Sequence, residues 1–299
     1  MMTLLLALAG CAVFVCMILL YIRFFMDRGK ENALVVPFAL WAVIFTVVPL
    51  GMVVYFSFTD SSGTFTFKNI AAIADYADTY LMSIWLGLIA TVLCLALGYP
   101  LAFLISKLRG GMQRTMVMLI MLPQWMNFLL RTYAWMTILE RNGLLNRLLG
   151  FIGLGPYEMI NTRGAVVLGM VYNFLPFMVL PIYSVMTKIE GSITEAAHDL
   201  GADDMNVMRR VIMPLSIPGV ITGVTMVFVP AVSTFIISKL LGGGKEMLIG
   251  DVIEMLFVGN AINYNVGSAL SMVLMVLMLV CMAFMNHFDS SDETGGLIA

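Results

Sequence analysis

The chain has 299 residues, of which 61% are hydrophobic and 11% are charged, with a mean hydropathy of +0.98. Soluble domains carry about 25% charged residues, so this composition excludes an ordinary soluble protein as well as a disordered chain. The 16 basic and 18 acidic residues give a net charge of -2, which leaves no basic excess to bind a nucleic acid.

Long runs without a charged residue predict membrane-spanning helices. A helix needs about 20 apolar residues to cross the hydrocarbon core. Seven runs are long enough, at residues 1–22, 32–59, 79–106, 115–130 with a continuation to 139, 164–187, 211–238 and 255–288. They are too long and too uniformly apolar for barrel strands. The predicted fold is therefore an all-α, multi-pass membrane bundle that sits in the lipid bilayer.

The first run allows a second interpretation. Leu8-Ala9-Gly10-Cys11 resembles a lipoprotein cleavage box, but no basic residue precedes it and the apolar run continues well beyond it. We therefore interpret residues 1–25 as an additional N-terminal transmembrane helix.

Basic clusters after two of the runs predict the orientation of the chain. The positive-inside rule places both clusters in the cytoplasm: they are Arg23, Arg28 and Lys30, and Lys107, Arg109 and Arg114. Because successive spans cross the membrane in opposite directions, the loop at 188–210 and the C-terminus are then predicted inside the cell, and the N-terminus outside.

The loop between the fifth and sixth runs predicts a helical hairpin. Ser192 and Glu195 have the spacing of a capping box, and Gly201 suits a left-handed helix stop. Asp203 can cap a second helix that ends near Pro214, with one face made of Met205, Met208 and Ile212. Such a hairpin either lies on lipid headgroups or docks into a groove on a soluble partner.

The residues of this loop resemble the EAA signature of bacterial ABC importer permeases. Glu195-Ala196-Ala197, then Gly201, then Val211-Ile-Met-Pro214 follow the family spacing, with Val211 and Met213 where the family has Ile and Leu. The resemblance implies that the loop at 188–216 is a coupling element seated on a cytoplasmic ATPase. The residues implied in coupling are Glu195, Ala196, Ala197, Asp199, Gly201 and Pro214.

The same resemblance implies the type I, MetI-like importer fold, with six core transmembrane helices at residues 33–288 and a short cytoplasmic tail at 289–299. Gly242-Gly-Gly-Lys245 lacks the spacing and the hydroxyl residue of a phosphate-binding loop. We therefore predict a transport subunit that is not itself an enzyme and holds no cofactor, with ATP and Mg bound by a partner ATPase.

An ion-coupled secondary transporter is the competing class. Such proteins usually carry an acidic residue or a histidine within a span, and no Asp or Glu lies near the middle of the predicted spans. The histidines, His198 and His287, lack ligand partners, and the four cysteines lack zinc-site spacing. We predict no metal site.

Further segments resemble the spermidine/putrescine permease subfamily. They lie at residues 122–139, 142–146, 171–183, 228–232, 240–244 and 249–252. The resemblance spans roughly residues 33–288. It implies a bacterial inner-membrane protein that works with a second homologous permease, an ATPase dimer and an extracytoplasmic polyamine-binding protein. Related permeases carry opines, phosphonates, thiamine or iron, which remain alternative substrates.

Aromatic residues are the candidates for a polyamine path, because aromatic faces attract ammonium groups without trapping them. The candidates are Trp125, Tyr133, Trp135 and Tyr172; an interfacial aromatic belt is the alternative. Asp251 and Glu254 are candidates for an electrostatic funnel, or are simply solvated loop residues.

Three further polar residues in the apolar runs are interpreted as structural. Arg131 would repel a cationic substrate unless it pairs with an acid or reaches outward. Asn127 and Asn173 are interpreted as bridges between helices.

Overall fold

The structure is a computed structural model that describes residues 40–245, 247–259 and 262–295. These residues form helices joined by short connections. In chain order the helices are α1 (Leu40–Ser57), α2 (Ala77–Ser106), α3 (Gly110–Met121), α4 (Phe128–Leu139), α5 (Leu144–Phe151), α6 (Arg163–Met186), α7 (Gly191–Asp199), α8 (Asp204–Leu215), α9 (Ile217–Ser233), α10 (Ile236–Leu241), α11 (Ile249–Phe257) and α12 (Tyr264–Gly295).

Four of the described helical stretches are long and apolar enough to cross a membrane. They are α1, the stretch Lys68–Ser106 that contains α2, α6, and Tyr264–Met285 within α12. Helices α8 and α9 together make a fifth candidate that is bent by 62°. The predicted all-α membrane fold is thus confirmed.

Helices α2 and α6 match their predicted spans at 79–106 and 164–187 closely. Each continues through internal proline, at Pro100 in α2 and at Pro176 and Pro181 in α6. Neighbouring helices in a membrane bundle can satisfy the backbone groups that a proline frees.

The predicted span at 115–139 is wrong as a single helix. Helix α3 ends at Met121, a 3-10 turn covers Leu122–Trp125, and α4 starts anew at Phe128. Pro123 stands near the start of that turn, and the Asn127 side chain caps α4. The run is broken because the proline and this cap favour a new helix start within apolar sequence.

The last two predicted spans also have corrected boundaries. The run at 211–238 breaks after Ser233, and the separate helix α10 follows. The run at 255–288 begins inside α11, which ends at Phe257, so the span itself starts at Tyr264.

The described residues fall into two compact units, the first made of residues 40–74 and 262–273. A hairpin with an isolated bridge between Thr59 and Phe65 follows α1. The Asn69 side-chain amide donates to the carbonyl oxygens of Ser57 (3.2 Å) and Thr59 (2.9 Å), and the Asn265 amide donates to the Thr59 carbonyl as well. These amides fix the start of the hairpin.

The second unit, residues 75–259 and 274–295, has α2, α6 and α9 packed against one another at its core. Small residues let the helices approach closely. A β-carbon at Gly219 would lie 2.9 Å from the Pro181 carbonyl oxygen, and one at Gly223 would lie 3.1 Å from the Met178 carbonyl oxygen. The backbones of α6 and α9 therefore touch along this seam.

Several predictions fall on other parts of the chain. The additional helix at 1–25 and its basic flank lie outside the described residues, as do residues 296–299 of the predicted tail. The helical backbone of α12 extends to Gly295. The domain boundaries at 33 and 288 stay predictions.

Candidate functional site

The loop at 188–216 forms the predicted helical hairpin. Helix α7 ends at Asp199, and Gly201 follows with φ +84°. The Ala202 amide donates to the Ala197 carbonyl at 3.0 Å, which is the closing bond of a left-handed helix stop. The prediction for Gly201 is confirmed, and the stop turns the chain directly into α8.

The predicted capping box at Ser192 and Glu195 is wrong. Helix α7 starts at Gly191, with Glu190 as its N-cap and without a side-chain cap. The Ser192 hydroxyl instead donates to Glu190 Oε2 at 3.2 Å. The helix begins two residues too early for Ser192 to act as its N-cap, so Glu195 lies within the helix, on its surface.

The second helix of the hairpin starts where the sequence predicts but presents a different face. The Asp203 carboxylate accepts the Asn206 backbone amide at 3.0 Å, which confirms its capping role. Val207 and Ile212 are buried, whereas Met205 is 57% exposed, so the predicted apolar face is wrong at its first position. The reason is a π-helical turn at Met208–Ile212, which shifts the helical register.

The hairpin has one face toward the bundle and one toward its surroundings. Ala197 and Ala202 pack against the hydrophobic core, and His198 Nδ1 lies 3.0 Å from the Ala202 carbonyl oxygen. Leu200 is 90% exposed. The other candidate coupling residues are also exposed: Glu195, Ala196, Asp199, Gly201 and Pro214. These exposed residues form the face of the hairpin that points away from the core.

An elbow connects the hairpin to the core. Helix α8 ends at Leu215, just after Pro214, and α9 leaves at 62°. Ser216 at the bend is fully buried, and its hydroxyl lies 2.9 Å from the Tyr99 hydroxyl of α2. Sequence reasoning missed both residues. The signal was available, because Ser216 is flanked by Pro214 and Pro218 in an otherwise apolar run.

Two of the four aromatic path candidates meet in the second unit. The rings of Trp135 on α4 and Tyr172 on α6 are 5.2 Å apart in an edge-to-face arrangement. Trp125 is 77% exposed and Tyr133 is 46% exposed, and neither makes a ring contact with this pair. The structure thus assembles an aromatic site from Trp135 and Tyr172.

Arg131 lies beside this aromatic site. It is buried, and its Nη1 donates to the Pro123 carbonyl oxygen at 2.6 Å and lies 3.5 Å from Gln124 Oε1. Its Cζ lies 5.7 Å from the Phe128 ring centre and 5.8 Å from that of Tyr172. Within the described residues it makes no ion pair, so it holds its structural position through carbonyl and aromatic contacts.

The two asparagines have local roles. The Asn127 side chain accepts the amides of Leu129 and Leu130, so its interpretation as a helix bridge is wrong. The Asn173 side chain donates to the Gly169 carbonyl of its own helix at 2.7 Å. The Asn173 backbone carbonyl does connect elements, because it accepts the Gln124 side-chain amide at 2.7 Å.

The acidic pair near α11 is engaged within the protein. The Asp251 carboxylate is buried and accepts the Leu248 amide at 2.8 Å, and burial raises the pKa of this carboxyl. Glu254 pairs with Lys239 at 3.0 Å. The geometry favours capping and ion pairing over an open electrostatic funnel.

The described residues hold no group of three or more His, Cys, Asp and Glu side chains that could bind a metal. The His287 side chain lies outside the described set. The glycine run forms a turn, with Gly243 at φ +60° and Gly244 at φ +73°. The Asn161 backbone amide donates to the Leu241 carbonyl at 2.8 Å and connects this turn to the start of α6.

Comparison with known proteins identifies similar chains. Residues 95–291 match the family of binding-protein-dependent transport system inner membrane components. The spermidine/putrescine transport system permease protein PotB of Salmonella typhimurium is 38% identical over 258 residues, which cover 83% of this chain and 90% of that protein. PotB of Escherichia coli K12 is 38% identical over 248 residues, which cover 80% of this chain and 90% of that protein.

Solved structures share the fold. A chain of a bacterial ABC transporter that imports the acidic polysaccharide alginate aligns with a TM-score of 0.73 at 19% identity, over 90% of this chain and 99% of that chain. A chain of the MetNI methionine ABC transporter aligns with a TM-score of 0.56 at 15% identity, over 72% and 94% of the two chains. The predicted type I importer fold is confirmed.

Proposed function

We propose a function from the family to which the chain belongs, that of binding-protein-dependent transport system inner membrane components. The chain forms part of the translocation path of an ATP-driven polyamine importer in the bacterial inner membrane. The observation that carries the substrate class is the 38% identity to spermidine/putrescine permeases over 90% of their length. A solved chain from an importer of an acidic polysaccharide shares the fold, but it is only 19% identical in sequence.

The aromatic site supports a cationic substrate. A polyamine carries ammonium groups separated by methylenes, and each ammonium can lie over an aromatic face with a gain of about 0.5 to 2 kcal/mol. The edge-to-face pair of Trp135 and Tyr172 presents such faces in the second unit. Trp125, Tyr133 and Asp251 remain candidates that the geometry does not join to this pair.

The cytoplasmic hairpin is proposed as the coupling surface for a partner ATPase dimer, which binds ATP and Mg. Its exposed face offers Leu200 as an apolar anchor next to Asp199, and Glu195 is exposed on the same helix. Central apolar anchors with a polar rim are typical of protein interfaces. The elbow at Ser216 connects this surface directly to α9 of the core.

The proposed assembly contains a second, homologous permease and an extracytoplasmic binding protein that delivers spermidine or putrescine. The hairpin and the C-terminus face the cytoplasm, and the N-terminus faces outward. This orientation follows from the basic clusters at residues 23–30 and 107–114.

The testing experiment is uptake into proteoliposomes that contain this chain with the permease, ATPase and binding protein encoded beside it. We expect ATP-dependent uptake of labelled spermidine and putrescine that stops without the ATPase and is reduced only by unlabelled polyamines. Uptake of another solute, with its own binding protein and without polyamine competition, would contradict the substrate class and leave the importer class intact. Uptake that persists without ATP and the ATPase would contradict the importer class itself.

The coupling surface is tested separately with Glu195→Ala. We expect lower uptake with an unchanged amount of permease in the membrane, because the substituted side chain is exposed and supports docking. Glu158→Ala is the matched control, since it removes an exposed carboxylate near the start of α6. Equal loss of uptake in both variants would contradict the assignment.

A further inference from the structure

Arg131 carries a positive charge that no acidic side chain balances within the described residues. The residue is 5% exposed, and its Nε atom is buried without a hydrogen-bond partner. A buried charge is costly in a membrane protein unless it is paired, and it usually marks a functional position. Arg131 therefore needs an explanation beyond packing.

The groups around the Arg131 guanidinium form a cation-binding site. Two aromatic faces, those of Phe128 and Tyr172, lie within 5.8 Å of its Cζ. The Pro123 carbonyl that accepts its Nη1 lies just beyond the C-terminal end of α3, where the helix dipole is negative. Broken helices in transporters use such carbonyl ends to hold cations.

The Arg131 guanidinium itself occupies this cation-binding site. Tyr172 contacts both Arg131 and Trp135, so the guanidinium shares one aromatic face with the proposed polyamine site. Gln124 links the same region to α6, because it contacts Arg131 and donates to the Asn173 carbonyl. The fixed charge is therefore built rigidly into the wall of the aromatic site.

We propose that Arg131 is a specificity-determining residue that discriminates polyamines by their number of positive charges. This inference rests on the proposed polyamine transport. The fixed charge repels trivalent spermidine more than divalent putrescine, so it lowers the preference of the permease for the more highly charged substrate. The carbonyl and aromatic contacts keep the guanidinium in place while a substrate passes.

The size of the effect follows from Coulomb's law. One additional unit charge about 10 Å from the guanidinium, at an effective dielectric of about 20 to 40, changes a relative rate about fourfold to fifteenfold. Screening by salt is weak at a buried site, so the effect should persist at physiological ionic strength.

The experiment measures uptake of ³H-spermidine and ¹⁴C-putrescine together in the same proteoliposomes, with one binding protein throughout. The ratio of the two labels does not depend on how much transporter is active, and the preference of the binding protein cancels between variants. We expect Arg131→Gln to raise the spermidine-to-putrescine ratio about fourfold to fifteenfold. Arg131→Lys keeps the positive charge but loses the planar set of guanidinium donors. Its spermidine-to-putrescine ratio should stay within about twofold of the wild-type ratio.

Phe128→Glu is the second variant, which keeps Arg131 and its bond to Pro123 but places a carboxylate beside the guanidinium. It should also raise the spermidine-to-putrescine ratio. If the Arg131→Gln transporter does not assemble, this variant still tests the effect of neutralising the Arg131 charge. An unchanged ratio in either neutralised variant, or an equal shift in Arg131→Lys, would overturn the inference while polyamine transport stands. A wild type that transports neither polyamine would overturn the proposed function and this inference together.

Discussion

Gly201 offers a sharp test of the hairpin geometry. Its φ of +84° lies in the left-handed region, and a β-carbon there would meet no heavy atom within 4 Å. The cost of Gly201→Ala is therefore conformational rather than steric, at about 1 to 2 kcal/mol. That corresponds to a factor of about 5 to 30 in the population that keeps the left-handed turn. Asparagine tolerates this conformation better than alanine, so Gly201→Asn should cost less.

The expected consequence is a weaker interaction with the ATPase. Without the left-handed turn the bond from the Ala202 amide to the Ala197 carbonyl is lost, and α8 no longer starts in its place after α7. We expect the affinity for the ATPase and the coupled uptake to fall in the order Gly201, Gly201→Asn, Gly201→Ala. Titration of the detergent-solubilised permease with its ATPase measures the affinity directly.

The control for this series is Gly191→Ala, at the first position of α7. A β-carbon there also meets no heavy atom within 4 Å, and Gly191 does not have a positive φ. Its affinity for the ATPase should match the wild type. Wild-type affinity in Gly201→Ala, or a larger loss in Gly201→Asn than in Gly201→Ala, would refute the argument from backbone conformation.

Substitutions at three further positions test the packing and the caps, each by thermal unfolding in detergent. Gly219→Ala should destabilise the permease by about 1 to 3 kcal/mol, because its β-carbon would press on the Pro181 backbone; a midpoint equal to the wild type would contradict the close α6–α9 contact. Asn127→Ala should cost about 0.5 to 2 kcal/mol through the lost cap of α4, and Asn127→Asp, which keeps the acceptor, should restore most of it. Asp251→Ala should cost about 1 to 3 kcal/mol, because it leaves the buried Leu248 amide without an acceptor. Asp251→Asn retains an acceptor and should match the wild type in both stability and polyamine uptake; a loss of uptake without a loss of stability would instead support a funnel.

The sequence predicted the spans well where hydrophobicity alone decides the structure. Helices α2 and α6 begin and end within two residues of the charge-free runs. The run at 115–139 does not form one span, because Pro123 and the cap at Asn127 interrupt it without adding a charge. These residues break a helix by backbone chemistry while the sequence remains apolar.

The same distinction separates the predicted and unpredicted parts of the site. Gly201 and Asp203 were assigned correctly because their roles depend on neighbours within a few residues. The meeting of Trp135 with Tyr172 depends on the packing of α4 against α6, which no local pattern encodes. Likewise, the sequence predicts Asp251 in an open loop, but Asp251 is buried at the start of α11, where the Ser83 hydroxyl from α2 accepts the Ile249 backbone amide at 2.8 Å.

The elbow at Ser216 acts as a lever between the hairpin and the helical core. Helix α9 has 17 residues, so it extends about 25 Å from the bend at about 1.5 Å per residue. A tilt of about 5° at the fulcrum would move its far end by about 2 Å. Since the Tyr99 hydroxyl holds the fulcrum against α2, a push on the hairpin would swing α9 about a fixed point rather than slide it along its axis.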